Sequence, residues 1–149
     1  MKTLVIGGGS IGLAAAVVCH QAGHQVIVFD PVGFQPVEPT VEMDARVWAL
    51  GPKSTGFLSD IHAWSPDARV CCYRSMRVID ARSDARVTFA DPRLGHLVEA
   101  HWVRNQLLKT VGGSPIQCQQ QAVARVDPKG CIILEDGQTI DSDFVIFAE

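Results

Sequence analysis

Residues 2–30 read KTLVIGGGSIGLAAAVVCHQAGHQVIVFD, and this stretch decides the fold. A short apolar run ends at three consecutive glycines, an Ala- and Val-rich segment follows Gly12, and a second apolar run ends at Asp30. Short apolar runs bounded by turn residues are typical of strands in a parallel sheet, and such strands need a crossover helix between them. The order of strand, glycine turn, helix, strand and acid predicts a βαβ unit.

The glycines of this turn each meet a different steric demand. Gly7 lets the chain turn sharply out of the strand, Gly9 keeps side-chain atoms away from a pyrophosphate, and Gly12 lets the helix lie close to the sheet. Ser10 and Ile11 lead to Gly12 and the helix, at whose start N–H groups lack intrahelical partners and the macrodipole adds partial positive charge. A pyrophosphate can therefore be held without a basic side chain, and we predict a dinucleotide site.

Asp30 stands eighteen residues after Gly12, at the end of the second predicted strand. A carboxylate there can accept hydrogen bonds from the hydroxyls of an adenosine ribose, and it would repel a 2′-phosphate. The alternatives for the whole stretch are a structural glycine turn and a secretory signal peptide. Three consecutive glycines would break the apolar region of a signal peptide, and a complete second strand occupies the place of its cleavage site.

The composition is that of a globular domain with a core of its own. The chain has 149 residues, of which 47% are hydrophobic and 19% are charged. A formal net charge of −3 and the lack of any run of Lys and Arg argue against a nucleic-acid partner. No apolar stretch approaches the length of a membrane span, so we expect a cytoplasmic protein.

The cysteines and histidines suggest no metal site. The five cysteines are an odd number without a C-x-x-C pair, which favours reduced thiols over a disulfide framework. We interpret the neighbours Cys71 and Cys72 as packing residues on opposite faces of a strand. His20 and His24 stand four residues apart, and without a further ligand nearby they indicate a solvated helix end.

The sequence after Asp30 predicts further strands and helices, and some of these strands would join the parallel sheet. The remaining predicted elements are, in chain order, a helix over 44–60 broken at Gly51 and Pro52, a hairpin of strands 72–80 and 85–90, a helix over 97–111, a strand at 116–118 that re-enters the parallel sheet, a meander of strands 122–127, 131–135 and 138–140 with turns that include Pro128 and Lys129, and a strand at 144–147. The last strand would expose apolar surface unless more protein follows, so we expect the domain to be incomplete at its C-terminal end.

Arg46 is a candidate for a second type of phosphate contact. It stands near the start of the helix predicted over 44–60. An arginine delivered beside the glycine turn would add a bidentate contact to the backbone cradle. A solvated or salt-bridged arginine is the alternative that the spacing leaves open.

Four blocks of the sequence carry a resemblance to a known family. They are VIGGGSIGLAAA (5–16), DARVWALGPKSTGFLSDIHAW (44–64), LGHLVEAHWVRNQLL (94–108) and DGQTIDSDFVIFAE (136–149). In order and spacing they resemble the N-terminal part of the flavoprotein aromatic hydroxylases, the family of para-hydroxybenzoate hydroxylase. Within this family, the four blocks most resemble the sequences of the ubiquinone-biosynthesis hydroxylases.

The resemblance implies an α/β fold with a Rossmann-like, FAD-binding βαβ unit and parallel sheet, plus a β-meander and a hairpin. Residues 1–149 would form the N-terminal portion of an FAD-binding domain, with the hairpin at 70–95 joining the substrate-domain side. The FAD pyrophosphate would lie at Gly7, Gly9, Ser10, Ile11 and Gly12, its adenosine ribose at Asp30, where the family more often has Glu, and Arg46 matches an arginine that contacts the flavin cofactor.

The implied activity is that of a monooxygenase. NAD(P)H would reduce the flavin, and oxygen would then be transferred to a small aromatic substrate. A ubiquinone precursor as substrate would bring peripheral contact with a membrane. The resemblance assigns no catalytic residue to these 149 residues, and we expect the isolated chain to be inactive because half of the flavin pocket would lie beyond it.

Two departures from the family pattern keep other functions open. Phe147, Ala148 and Glu149 stand where the family has Gly-Ala-Asp, and Ala100 replaces a residue that is usually polar. The alternatives are a non-catalytic dinucleotide-binding module and an NAD-dependent dehydrogenase-type domain. Asp30 would favour NAD over NADP in the dehydrogenase, but a long excursion after Asp30 argues against it.

Overall fold

The computed structural model describes residues 1–127 and 130–148. The chain divides into two compact units, Met1–Glu38 with Arg104–Glu149 (unit 1) and Pro39–Val103 (unit 2). Unit 1 carries the glycine turn, and unit 2 carries Arg46. Pro128 and Lys129, which were predicted in a turn of the meander, and Glu149 lie outside the described residues.

The described residues form ten strands and three helices. In chain order the elements are β1 (Lys2–Ile6), α1 (Ser10–Gln21), β2 (Gln25–Phe29), β3 (Val47–Leu50), α2 (Pro52–Asp60), β4 (Cys71–Ile79), β5 (Arg86–Glu99), α3 (Ala100–Gly112), β6 (Gln117–Gln119), β7 (Val123–Val126), β8 (Ile132–Leu134), β9 (Thr139–Ile140) and β10 (Phe144–Phe147). Among the described residues, no helix has the length and apolar composition that a membrane crossing requires.

Unit 1 is built on a parallel sheet with the strand order β10-β1-β2-β6. The α/β fold class, the βαβ unit and the return of two later strands to the sheet are confirmed. The meander β7-β8-β9 is antiparallel, as predicted, and packs on one face of the sheet. A single apolar cluster fills this interface: Leu4, Ile6, Ile27, Phe29, Ile132 and Leu134. By strand alternation Val5, Val26 and Val28 lie on the opposite face, and they are also buried.

Helix α1 comes very close to the end of β1 at its first turn. A Cβ built on Gly12 would lie 1.9 Å from the carbonyl oxygen of Gly7 and 3.3 Å from the Cβ of Ala148. A side-chain carbon cannot occupy that position next to a backbone oxygen, so only glycine allows this approach. The contact matches the packing role predicted for Gly12, and it sets where the helix N-terminus lies relative to the strand.

Unit 2 contains an antiparallel sheet with the strand order β3-β5-β4. Strands β4 and β5 form the predicted hairpin. Met76 pairs with Phe89 and Val78 pairs with Val87, so these four side chains share one face of the hairpin. Each of them is about half exposed, between 46% and 52%. The hairpin therefore presents an unpaired apolar face within its unit.

Two boundaries in unit 2 differ from the prediction. Val47–Leu50 is a strand paired with residues 96–99 of β5, although its apolar residues fit helical spacing. Helix α2 begins only at Pro52, whose ring suits the first helical position, after an extended Gly51. The helix predicted from Leu97 begins at Ala100, because Leu97, Val98 and Glu99 continue β5. Pairing partners from distant parts of the chain decided both boundaries.

A buried ion pair connects the end of β5 to the loop before β3. Glu99 is 2% exposed, and its two oxygens accept hydrogen bonds from Nε and Nη2 of Arg69, each at 2.6 Å. The same carboxylate accepts a hydrogen bond from the Asp44 N–H at 2.6 Å. Arg69 also donates to the carbonyls of Thr40 (2.8 Å) and Glu42 (3.4 Å). A segment without periodicity thus gains a defined path from side chains distant in sequence.

The hydrogen bonds from Arg69 lower the pKa of Glu99 from its ordinary 4.5 to about 2, although burial opposes this shift. His101 lies beside this pair, with Nδ1 3.1 Å from Asp44 Oδ2 and Nε2 3.9 Å from Glu99 Oε2. With a pKa of about 2, the Glu99 carboxylate is ionised in the folded chain across the physiological pH range.

Replacing Gly12 with alanine should destabilise the chain. We expect Gly12→Ala to lower the free energy of unfolding by about 1–3 kcal/mol, because the added carbon forces α1 away from Gly7. Gly56→Ala is the matched control, since Gly56 lies within α2 and a Cβ there meets no atom within 4 Å. This control should gain about 0.5–1 kcal/mol from reduced chain entropy. Urea unfolding measures both, and equal effects of the two substitutions would contradict the steric account.

The Glu99 carboxylate should make stability depend on pH in acid. Unfolded Glu99 takes up a proton below about pH 4.5, whereas the folded form resists protonation until about pH 2. Its contribution to stability is therefore complete above pH 4.5 and is lost as the pH falls through 2. We expect Glu99→Gln to be less stable than the parent chain near pH 7, with a deficit that shrinks between pH 4.5 and 2.

Urea unfolding at a series of pH values measures this deficit. Glu42→Gln is the control, because it removes an exposed carboxyl and should change stability little at any pH. A Glu99→Gln deficit that persists unchanged at pH 2 would argue that the carboxylate charge is not its cause.

Candidate functional site

The glycine turn leaves β1 through a backbone conformation that suits glycine. Gly7 has φ of +110°, where a side chain would be strained, and its N–H donates to the Phe29 carbonyl at 2.8 Å. The chain therefore turns away from the strand while staying bonded to β2. The sharp turn predicted for Gly7 is present.

The next part of the turn is open on the side of the helix N-terminus. Gly9 caps α1 with an extended backbone, φ −73° and ψ −179°, and no side chain caps the helix. A Cβ built on Gly9 would meet no atom of residues 1–127 and 130–148 within 4 Å, so none of these residues fills the space there. Ser10 and Ile11 form the first residues of α1, and Ile11 is 73% exposed. Within the described part of the chain, the helix thus begins with unobstructed N–H groups, a geometry that suits an anion.

Asp30 contacts the glycine turn directly. Its Oδ2 accepts a hydrogen bond from the Gly8 N–H at 2.6 Å, and its Oδ1 accepts from Val32 (2.8 Å) and Gly33 (3.1 Å). The carboxylate thus links the turn after β1 to the segment after β2. The predicted contact with a ribose stays a prediction, and any such contact would have to coexist with these three backbone donors.

Arg104 is a site residue that the spacing of the sequence did not indicate. From α3 it reaches three backbone carbonyls in unit 1, those of Gly8 (Nε, 3.1 Å), Gly33 (Nη2, 2.7 Å) and Gln35 (Nη1, 3.0 Å). Its neighbours Val103 and Leu107 on the helix are buried. A charged residue among buried apolar positions of one helix was the available signal, since such a charge needs partners.

A cleft adjoins the end of β2. Its volume is about 310 Å³, and it lies beside Pro31, which directly follows Asp30. Its walls come from the segments after β2 and β6 and from the turn after β8: Pro31, Gln120, Gln121, Ala122, Leu134, Glu135 and Asp136. Ligands of parallel α/β sheets bind outside the carboxyl ends of the strands, which is where this cleft opens.

Arg46 belongs to unit 2 and not to the unit of the glycine turn. Its side chain is exposed, its N–H donates to Asp44 Oδ1 at 3.0 Å, and its carbonyl accepts from Ala100 N–H at 2.9 Å. These bonds hold its backbone at the junction of β3 and α3. Its contact with a phosphate stays a prediction. The residues that the structure brings together are Gly7, Gly9, Ser10, Ile11, Gly12 and Asp30.

The cysteines are free thiols, but two of them lie where we did not expect them. Cys71 and Cys72 are exposed, so the interpretation as packing residues is wrong. A hydrogen bond to Asp141 Oδ1, at 2.8 Å, raises the pKa of Cys131 to about 11. Burial raises the pKa of Cys118. Both of these thiols stay protonated at neutral pH, which is unsuitable for a nucleophile.

His24 also differs from its prediction as a solvated group. Its Nδ1 lies 2.8 Å from the Thr3 hydroxyl, and its ring stacks on Phe144 at a centroid distance of 6.2 Å. The imidazole therefore joins the start of β2 to β1 and β10.

No protein-family model matches the chain. Solved structures with the same fold include FqzB, at 19% identity and a TM-score of 0.72, and 2-methyl-3-hydroxypyridine-5-carboxylic acid oxygenase, at 17% and 0.75. A third is 2,6-dihydroxypyridine-3-hydroxylase from Arthrobacter nicotinovorans, at 18% and 0.67.

These similarities extend over nearly the whole of this chain but over a minor part of the others. They cover 100%, 97% and 97% of this chain, and 36%, 38% and 35% of the respective neighbours. At such identities the likeness shows the fold. The chain therefore has the fold found in about a third of the length of these three structures.

Proposed function

We propose that this chain is the FAD-binding portion of a flavin-dependent monooxygenase that hydroxylates an aromatic ring, with NAD(P)H as the reductant. The observation that carries the proposal is the glycine turn of unit 1. Gly12 is in steric contact with Gly7, whereas the space at Gly9 holds no atom of the residues that the structure describes. Such a turn admits the pyrophosphate of a dinucleotide to the start of α1.

The residues present fit the adenosine half of FAD. The pyrophosphate would lie at Gly9, Ser10 and Ile11, where helix N–H groups and the macrodipole favour negative charge. The cleft beside Pro31 and Gln120 would take the adenosine, and Asp30 directly precedes Pro31 in the sequence. Arg46 would add a phosphate contact. When bound, FAD would supply the redox chemistry and the activation of oxygen, and these residues would hold and orient it.

The hairpin of unit 2 supports a role in a larger enzyme. Its half-exposed apolar face, Met76, Val78, Val87 and Phe89, is suited to packing on further protein, as proposed for the substrate-domain side. The chain spans 35–38% of the length of the structural neighbours named above. The isolated chain would then bind the adenosine half of FAD and hydroxylate weakly or not at all.

The substrate would be a small aromatic ring. Two of the fold neighbours are named for hydroxypyridine substrates, which supports an activated ring. The sequence resemblance favours a ubiquinone precursor, and a prenylated substrate of that kind would bring the enzyme into peripheral contact with a membrane.

An NAD-dependent dehydrogenase-type domain is less consistent with the topology. Residues 30–116 separate β2 from β6, its neighbour in the parallel sheet, and this excursion contains the whole of unit 2. A dehydrogenase of this fold reaches its next parallel strand through one short helical crossover.

The proposal predicts that the full chain binds FAD in preference to NADH, and that Gly9→Ala weakens this binding. A methyl group at Gly9 occupies the space where the pyrophosphate would lie, so we expect about a tenfold or larger loss of FAD and ADP affinity, about 1.4 kcal/mol or more. Isothermal titration of the purified chain measures the affinities, and an absorption scan shows any FAD retained from expression.

Gly51→Ala is the matched control. Gly51 caps α2 with nearly the same backbone, φ −76° and ψ 169°, and a Cβ there also meets no atom within 4 Å. Both substitutions should change stability by a similar small amount, while only Gly9→Ala should weaken dinucleotide binding. A chain that binds neither FAD nor ADP, or that prefers NADH, would overturn the proposal.

A further inference from the structure

Arg104 uses its whole guanidinium to hold backbone carbonyls. Its Nε, Nη1 and Nη2 each donate to one carbonyl, and the three acceptors come from the turn after β1 and from the segment after β2. A guanidinium is a rigid planar fork with five N–H donors, so it can satisfy several separate acceptors at once. The partly buried side chain therefore joins two loops at one point.

The Gly8 residue is held from both sides. Its N–H donates to Asp30 at 2.6 Å, and its carbonyl accepts from Arg104 at 3.1 Å. A Cβ on Gly8 would lie 2.8 Å from the Phe34 ring and 2.9 Å from the Cβ of Asp30. Gly8 is thus enclosed by the segment after β2, whereas the following Gly9 is open.

Arg104 can influence the Gly9 N–H because the peptide that joins Gly8 to Gly9 is planar. The Gly8 carbonyl and the Gly9 N–H belong to the same peptide unit, which is planar and trans, so the two groups point in opposite directions. When Arg104 holds the Gly8 carbonyl, it also determines the direction of the Gly9 N–H. That N–H then points away from Arg104, at the start of α1.

We propose that Arg104 is a positioning residue for pyrophosphate binding, which acts by orienting the Gly8–Gly9 peptide and not by contacting the phosphate itself. This inference rests on the proposed dinucleotide function. The positive charge of Arg104 strengthens its bonds to the three carbonyls, because hydrogen bonds with an ionised donor are stronger than neutral ones. Asp30 acts on the same turn from the other side.

The substitution Arg104→Lys tests whether Arg104 acts by positioning the turn or only by its positive charge. Arg104→Lys keeps the positive charge but has a single ammonium, which cannot reproduce a planar fork with three separated carbonyls. Arg104→Met removes the charge as well and keeps the apolar stem. We expect both variants to bind ADP about tenfold more weakly than the parent chain, with adenosine affinity unchanged.

Salt dependence distinguishes positioning from a direct phosphate contact. Removing a direct ion pair would flatten the dependence of ADP affinity on ionic strength, because that dependence reflects charge pairs with the ligand. Under our proposal the slope stays the same in Arg104→Met. Retained ADP affinity in Arg104→Lys, or a flatter slope in Arg104→Met, would overturn the positioning role.

Asn105→Ala is the matched control. Asn105 holds the same segment further along, through Val37 N–H (3.0 Å) and the Val37 carbonyl (2.7 Å), but it does not reach the glycine turn. This variant should loosen residue 37 and leave ADP affinity unchanged. An equal loss of ADP affinity in Asn105→Ala would show that general loosening of the segment is the cause, which contradicts the proposal.

Amide hydrogen exchange of the ligand-free chain tests whether Arg104 holds the glycine turn, independently of any ligand. We expect faster exchange at Gly8 and Gly33, whose N–H groups donate to Asp30, in both Arg104 variants, and not in Asn105→Ala. If the parent chain fails to bind ADP, the proposed function fails, while the exchange rates still test whether Arg104 holds the turn. Unchanged exchange at Gly8 in the variants would show that Arg104 does not hold the turn, and this would overturn the proposal.

Discussion

The rest of unit 1 depends on the contact between Gly12 and the Gly7 carbonyl. A helix that follows a strand through three glycines can lie at several distances from the sheet, and this contact selects the closest one. The first turn of α1 then begins directly beyond the end of β1. The apolar residues on both faces of the sheet hold this arrangement through burial, but they do not by themselves aim the helix N-terminus. The lack of a side chain at Gly12 sets where the N-terminus of α1 lies.

Polar side chains hold the irregular segment between β2 and β3. In unit 1 Asp30, Arg104 and Asn105 bond to backbone groups of residues 32–37, and in unit 2 Arg69 and Glu99 bond to those of residues 40–44. Such a segment has no ladder of its own, so its backbone groups need other partners. Each compact unit therefore stabilises its own part of the loop, and in unit 1 Asp30 and Arg104 also bond to Gly8 of the glycine turn.

Predictions that depend on local sequence pattern and predictions that depend on distant pairing partners had different outcomes. The parallel strands β1, β2 and β10 contain short apolar runs with Gly or Asp at or near their ends, and their identity is visible in any window that contains them. Val47–Leu50 has apolar positions that fit a helix, and only pairing with β5 makes it a strand. Leu97–Glu99 likewise reads as the first turn of α3, yet it continues a strand whose other residues begin at Arg86. For the site, the glycines were visible in the sequence, whereas Arg104 was not assigned because its acceptors lie about seventy and ninety-six residues away.

The sequence by itself determined the βαβ unit and the place of its turn, because glycine sterics and strand burial are properties of a few adjacent residues. It also indicated an acid at the end of β2. Only the tertiary structure decided what that acid bonds to, since the Gly8, Val32 and Gly33 N–H groups come together only when β1 and β2 pair. The tertiary structure also decided that Arg104 holds the Gly8 carbonyl. A guanidinium can choose among many carbonyls, and the packing of α3 brings these three within its reach.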